Sequence, residues 1–150
     1  MQRLALSLFI LLLTACATPG RSPESMNEVA LYAMSLADTP YRYGGNSVGN
    51  GFDCSGFVQH VYLNTVGMRL PRTSAEMSRV GMNLESTQLR PGDLVFFNTR
   101  KKPFSHVGIY VGENRFVHSP SSGRSIMVTS MRDDYWRIRY NGARRVASAN

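Results

Sequence analysis

From Leu4 to Leu13 every position is apolar except Ser7. This run follows Met1-Gln2-Arg3 and ends in Thr14-Ala15-Cys16. A basic start, about ten apolar residues and a small residue before the end describe a secretory leader. The run is too short for a membrane-spanning helix, which needs about 20 apolar residues. Residues 17–24 (Ala-Thr-Pro-Gly-Arg-Ser-Pro-Glu) lack periodicity and read as a tether. Ser25-Met-Asn-Glu28 then has the form of a capping box. Val29, Leu31, Tyr32, Met34 and Leu36 follow as an amphipathic helix that ends near Asp38, because Pro40 disfavours helix at Thr39. Tyr41 to Gly51 carries four glycines (Gly44, Gly45, Gly49 and Gly51) and reads as a loop.

A second helix is expected from Asp53 as N-cap to Gly67 just past its end, with Phe57, Val58, Val61 and Tyr62 on one face. Thr73-Ser-Ala-Glu76 is another capping box, opening a short helix closed by Gly81. Beyond it the pattern changes. Leu94–Phe97, His106–Val111, Arg115–His118, Ile126–Thr129 and Tyr135–Val146 are β-rich runs separated by Gly, Pro, Asn and Ser. Glu113-Asn114, after Gly112, predicts a hairpin turn. Helices first and strands second, without βαβ alternation, predict an α+β domain with an antiparallel sheet. The division expected is a leader over 1–15, a tether over 16–24 and one domain over 25–150.

Composition narrows the classes. Of 150 residues 43% are apolar and 18% charged, which is globular rather than disordered. Two cysteines exclude a disulfide scaffold and, with three histidines, a finger-type zinc array. No cofactor and no metal is called for. Leu13-Thr-Ala-Cys16 resembles a bacterial lipobox, in which Cys16 carries the lipid and begins the mature chain. Ala17, rather than Asp, follows it. By resemblance to bacterial sorting rules this implies the periplasmic face of the outer membrane. Without residues 1–15, which carry only Arg3, the net charge falls from +7 to +6. The basic residues are nearly all Arg and are scattered singly, with no stripe of interleaved aromatics, so nucleic acid is not the expected partner. An anionic cell envelope or a carboxylate-bearing substrate is the expected counterpart.

Cys54 is then the one thiol left in the mature chain. Capped by Asp53, it would occupy the first helical turn, where free N–H groups and the helix dipole favour a thiolate. Such placement lowers a thiol pKa from about 8.5 to roughly 3.5–7.5. A thiol nucleophile needs a base held by a third group. His60 lies about 240° around the same helix from Cys54 and cannot face it. His106 opens one strand and His118 closes the next. With the turn centred near residue 113, position 106 would pair near 120 and His118 near 108, making the histidines cross-strand or diagonal neighbours. Two adjacent imidazoles facing a helix N-terminal cysteine would form a Cys–His–His triad.

Thr39-Pro-Tyr-Arg-Tyr-Gly-Gly-Asn, Gly51-Phe-Asp-Cys-Ser-Gly-Phe-Val, Arg90-Pro-Gly-Asp-Leu-Val-Phe-Phe, Ser105-His-Val-Gly-Ile-Tyr and Phe116-Val-His-Ser together resemble the NlpC family. Its members are bacterial papain-like cysteine peptidases that cut peptidoglycan stem peptides. The resemblance covers about 25–146 and points to the small lipoprotein members. It implies a papain-like fold with N-terminal helices packed on a C-terminal antiparallel sheet. It assigns Cys54 as nucleophile, His106 as general base and acid, and His118 as the group that orients His106. Tyr43 matches a tyrosine that helps line the active site and oxyanion region. Asp53 and Ser55 match positions that contact substrate in some members. The implied activity is a murein endopeptidase, monomeric and needing no cofactor, that acts on either the D-glutamyl–diaminopimelate bond or the D-alanyl–diaminopimelate cross-link. The alternatives are an amidase or acyltransferase on the same fold, or a catalytically idle lipoprotein that binds the wall.

Overall fold

The computed structural model describes residues 23–146. The expected leader and the expected lipidation site Cys16 lie outside them. Helix α1 spans Pro23–Ser35. Pro23 takes the first helical position, where its missing N–H costs nothing. Pro23 and Glu24 are therefore helix rather than tether, and Ser25 sits inside the first turn instead of capping it. Val29, Ala30 and Ala33 are buried along this helix, while Leu31 is exposed, because a position two residues on from Val29 faces away.

Two short strands, β1 (Asn46–Ser47) and β2 (Gly51–Phe52), form a hairpin that leads into α2 (Cys54–Val66). Asp53 caps α2 by accepting from the Gly56 N–H, and Gly67 ends it in the left-handed conformation (φ 66°). A one-turn helix, α3 (Ser74–Met77), opens with the Thr73–Glu76 capping box. It closes at Ser78, short of Gly81.

The main sheet has six antiparallel strands. They are β3 (Met82–Leu84), β4 (Leu94–Phe97), β5 (His106–Gly112), β6 (Arg115–His118), β7 (Met127–Ser130) and β8 (Tyr140–Arg145), in the order β3-β8-β4-β5-β6-β7. A 3₁₀ turn at Ser86–Gln88 joins β3 to the loop before β4. The β5–β6 hairpin turns at Glu113 and Asn114, both with positive φ (52° and 56°), as a tight twisted turn requires. Its register pairs Ile109 with Val117 and Tyr110 with Phe116.

The run Tyr135–Val146 is not one strand. Asp134–Arg137 forms a helical turn, α4, and β8 begins at Tyr140. The N–H groups of Trp136 and Arg137 both return to the Asp133 carbonyl (2.9 Å each), so they are spent locally before a ladder can use them. Strand β3, exposed at Met82 and Asn83, carried too little alternation to be read as a strand.

β4 is buried at all four positions because both faces of the sheet are covered. Leu94, Phe96, Val107, Ile109 and Val117 pack with Val29 of α1 and Phe57, Val58 and Val61 of α2. Val95, Phe97, Tyr110 and Phe116 form a second apolar layer on the opposite face, closed by Trp136 and Tyr140. The thiol-bearing helix thus belongs to one layer and the odd-numbered positions of β5, while His106 lies on the same side as the second layer.

Candidate active site

Cys54 is the first residue of α2, held by a network centred on the Asp53 carboxylate. Asp53 Oδ1 accepts from the Gly56 N–H (2.7 Å) and from the Ser55 hydroxyl (3.3 Å), and Oδ2 accepts from the Gly44 N–H (3.1 Å). Arg72 grips both carboxylate oxygens, Nη2 to Oδ2 at 2.6 Å and Nη1 to Oδ1 at 3.0 Å, and donates to Ser55 Oγ at 2.8 Å. The glycine loop rests directly on this helix start. The Asp53 N–H donates to the Gly45 carbonyl (3.1 Å), and a side chain at Gly56 would overlap that same oxygen. Asp53 and Ser55 line the cleft, and Asp53 holds the nucleophile's turn in place.

Across the same cleft lining, His106 joins His118 in a buried relay. His106 Nε2 lies 2.9 Å from His118 Nδ1, and His118 Nε2 lies 3.0 Å from Thr129 Oγ1. With Nε2 taken, His106 has only Nδ1 free to serve the thiol. That nitrogen is a base only if the relay runs outward: His106 Nε2–H to His118, then His118 Nε2–H to Thr129. The opposite direction would put the proton on Nδ1 and block it. Phe116 stacks on His118 (4.6 Å between centroids), and Trp136 packs against both rings at 5.4 and 4.8 Å. His118 sits at the end of β6 in the register anticipated from the hairpin, diagonal to His106.

Cys54, His106, Tyr43, Asp53 and Ser55 all line one open cleft of about 390 Å³. His118 stands behind His106, 1% exposed, outside that lining. Tyr43 is 79% exposed at the cleft mouth. His60 faces elsewhere, its Nε2 3.1 Å from the Tyr32 hydroxyl. Several residues that shape the site were not singled out from sequence: Arg72, Thr129, Trp136, Tyr41 and Arg100. Burial raises the Tyr41 hydroxyl pKa, and the Arg100 charge opposes that shift. Only Tyr41 carried a signal, its place beside Tyr43 in the glycine loop.

The electrostatics differ from the expectation of a depressed thiol pKa. Burial first, and then the Asp53 charge, push Cys54 up, against the pull of backbone groups of Val107 and Ser55. Burial also lowers His106 to about 3, with the Arg100 charge adding to it. His118 is pushed well below its usual range by burial, His106 and Arg124. The helix N-terminus is present, but desolvation outweighs it. Both shifts favour the neutral forms, a thiol and an imidazole that line the same cleft.

The arrangement has counterparts among known proteins. Residues 38–145 match the NlpC/P60 family. The chain is 48% identical over 116 residues to murein DD-endopeptidase MepH of Escherichia coli K12, an alignment covering 75% of this chain and 43% of that protein. It is 45% identical over 108 residues to murein DD-endopeptidase MepS/murein LD-carboxypeptidase of the same strain, covering 72% and 56%. It thus spans about half the length of these curated relatives. A crystal structure of an NlpC/P60 family protein from Bacillus cereus superposes with a TM-score of 0.76 at 32% identity, covering 87% of this chain and 42% of that one. A helix-borne cysteine backed by a strand-borne histidine pair, on a papain-like α+β frame and under a family match of this extent, has one reading: the chain belongs to the NlpC/P60 family.

Proposed function

We propose that this domain is a murein endopeptidase that cuts the D-alanyl–diaminopimelate cross-link between stem peptides through Cys54, His106 and His118. The observation that carries the chemistry is the buried 2.9 Å His106–His118 contact, with His106 lining the same cleft as the Cys54 thiol. The 48% and 45% identities to proteins named murein DD-endopeptidases favour the cross-link over a bond within one stem.

With both neutral forms favoured, charge arises by proton transfer inside the site. The Cys54 Sγ proton passes to His106 Nδ1 as Sγ attacks the carbonyl carbon. His118 and Thr129 hold the ring so that Nδ1 is free to receive it. The oxyanion is met by the Cys54 N–H, the first of α2 and unused by the helix ladder, and by the Tyr43 hydroxyl at the cleft mouth. As the C–N bond breaks, His106 Nδ1–H protonates the leaving amine and a thioester remains on Cys54. Water, deprotonated by His106, then hydrolyses the thioester and restores the thiol. We also assign Cys16 as a lipid anchor facing the periplasm; a Cys16→Ala chain that still takes up labelled palmitate would remove that assignment.

The test is mass spectrometry of muropeptides after incubation with sacculi. Cross-linked dimers should fall into monomers with wild type and persist with Cys54→Ser. Cuts confined to single stems would replace the assigned bond, and digestion by Cys54→Ser would overturn the mechanism.

A further inference from the structure

The cleft has a neighbour, a second cavity of about 500 Å³. Thr99, Arg100 and Pro120 line both, so the two adjoin along these residues. The second cavity adds Arg124, Tyr135 and Trp136. No acidic side chain lines it, and neither Arg100 nor Arg124 is in an ion pair among the described residues. Arg72, which lines the cleft, is different: its guanidinium is already committed to Asp53. Two guanidiniums that no carboxylate neutralises among the described residues, lining one concave site, are suited to a carboxylate, which each can meet through paired N–H donors.

The geometry also says which part of a substrate would arrive there. His106 lines the cleft with Cys54 and adjoins this cavity through Trp136, which lines the cavity and packs against the histidine pair. The acyl group ends on Cys54 and the leaving amine takes its proton from His106. The leaving residue therefore lies on the His106 side, toward Arg100 and Arg124. In a D-alanyl–diaminopimelate cross-link, the carbon that bears the leaving amine also bears a carboxylate.

We propose that Arg100 and Arg124 form a carboxylate-binding subsite that recognises the leaving diaminopimelate through the carboxylate beside its amine. This rests on the cross-link reading given above. Arg100, shared by both cavities, guides the carboxylate in, and Arg124 fixes it in the far cavity.

The experiment uses two muropeptide dimers that differ only in this group, carboxylate or carboxamide, cleaved by the same preparation. Wild type should prefer the carboxylate about tenfold in kcat/KM, the scale of one charge-assisted contact. Arg124→Gln should reduce that preference several-fold, Arg100→Gln/Arg124→Gln should abolish it, and Arg124→Lys should keep part of it. Because the readout is a ratio within one preparation, partial misfolding cancels. A wild type indifferent to amidation, or a preference unmoved in the double variant, overturns the subsite while leaving the peptidase reading intact. A wild type that cleaves neither dimer overturns both.

Discussion

Replacing Thr129 with valine tests the relay at its outer end. The substitution keeps the shape of the side chain and its β-branching and removes only the oxygen 3.0 Å from His118 Nε2. Without that acceptor the outward direction of the relay loses its anchor, and a ring nitrogen of a residue 1% exposed is left without its partner. An unsatisfied buried group of this kind costs about 1–3 kcal/mol. Thr129 is itself only half-buried, so water offsets some of the loss, and about 1–2 kcal/mol is the expected penalty. If the penalty falls on the tautomer that makes Nδ1 a base, kcat drops roughly 5- to 30-fold. KM should move little, since Thr129 does not line the cleft. The assay is steady-state cleavage of a soluble cross-linked muropeptide dimer, with thermal unfolding alongside. Thr129→Ser restores the acceptor and should recover most of the rate. A valine variant with wild-type kcat, or a serine variant as slow as valine, would refute the idea that Thr129 sets the relay.

Stability should depend on pH through the same histidines. His106 folds with its pKa depressed from about 6.5 to about 3, so protons bind the unfolded chain more readily. Its contribution is full above pH 6.5 and drains away at up to about 1.4 kcal/mol per pH unit as pH falls toward 3. Thermal midpoints of wild type should therefore fall across that window more steeply than those of His106→Gln; parallel curves would contradict the burial argument. Asp53→Asn keeps an N-cap oxygen while removing the charge that helps raise the Cys54 thiol, so alkylation by iodoacetamide should set in at lower pH. An unshifted alkylation profile would show that burial alone governs the thiol. Gly56→Ala should lower the unfolding midpoint by the equivalent of about 1–3 kcal/mol and depress sacculus digestion, because the new methyl overlaps the Gly45 carbonyl. A variant as stable as wild type would mean that the glycine loop yields freely.

Much of this was legible in local chemistry. Asp53 and Gly67 bracket α2 because capping oxygens and left-handed glycines act within a few residues, and the closeness of His106 and His118 on neighbouring strands followed from a turn whose centre could be counted. What could not be read depended on contacts distant in the chain. Arg72 reaches Asp53 across 19 residues, and nothing near Arg72 announces a partner. Thr129 meets His118 only because β6 and β7 pair, with His118 opposite Met127. The thiol's pKa shifts opposite to the sequence expectation for a related reason. A helix N-terminus is visible in sequence, whereas the burial that overrides it comes from the whole fold. Tyr135–Ile138 looked like the start of a strand because its aromatic and branched residues suit one, yet the Asp133 carbonyl captures the next N–H groups into α4.

Trp136, which that helical turn delivers to the histidines, is the only tryptophan in the chain. Its indole lies about 5 Å from both imidazoles, so the protein carries an optical probe at its own base. A charged imidazolium at that range quenches indole emission, whereas a neutral ring leaves it bright. Fluorescence recorded during acid titration therefore follows protonation of the pair itself, and stopped-flow emission during turnover follows the instant at which His106 holds the thiol's proton. No label has to be introduced, and no second tryptophan dilutes the signal.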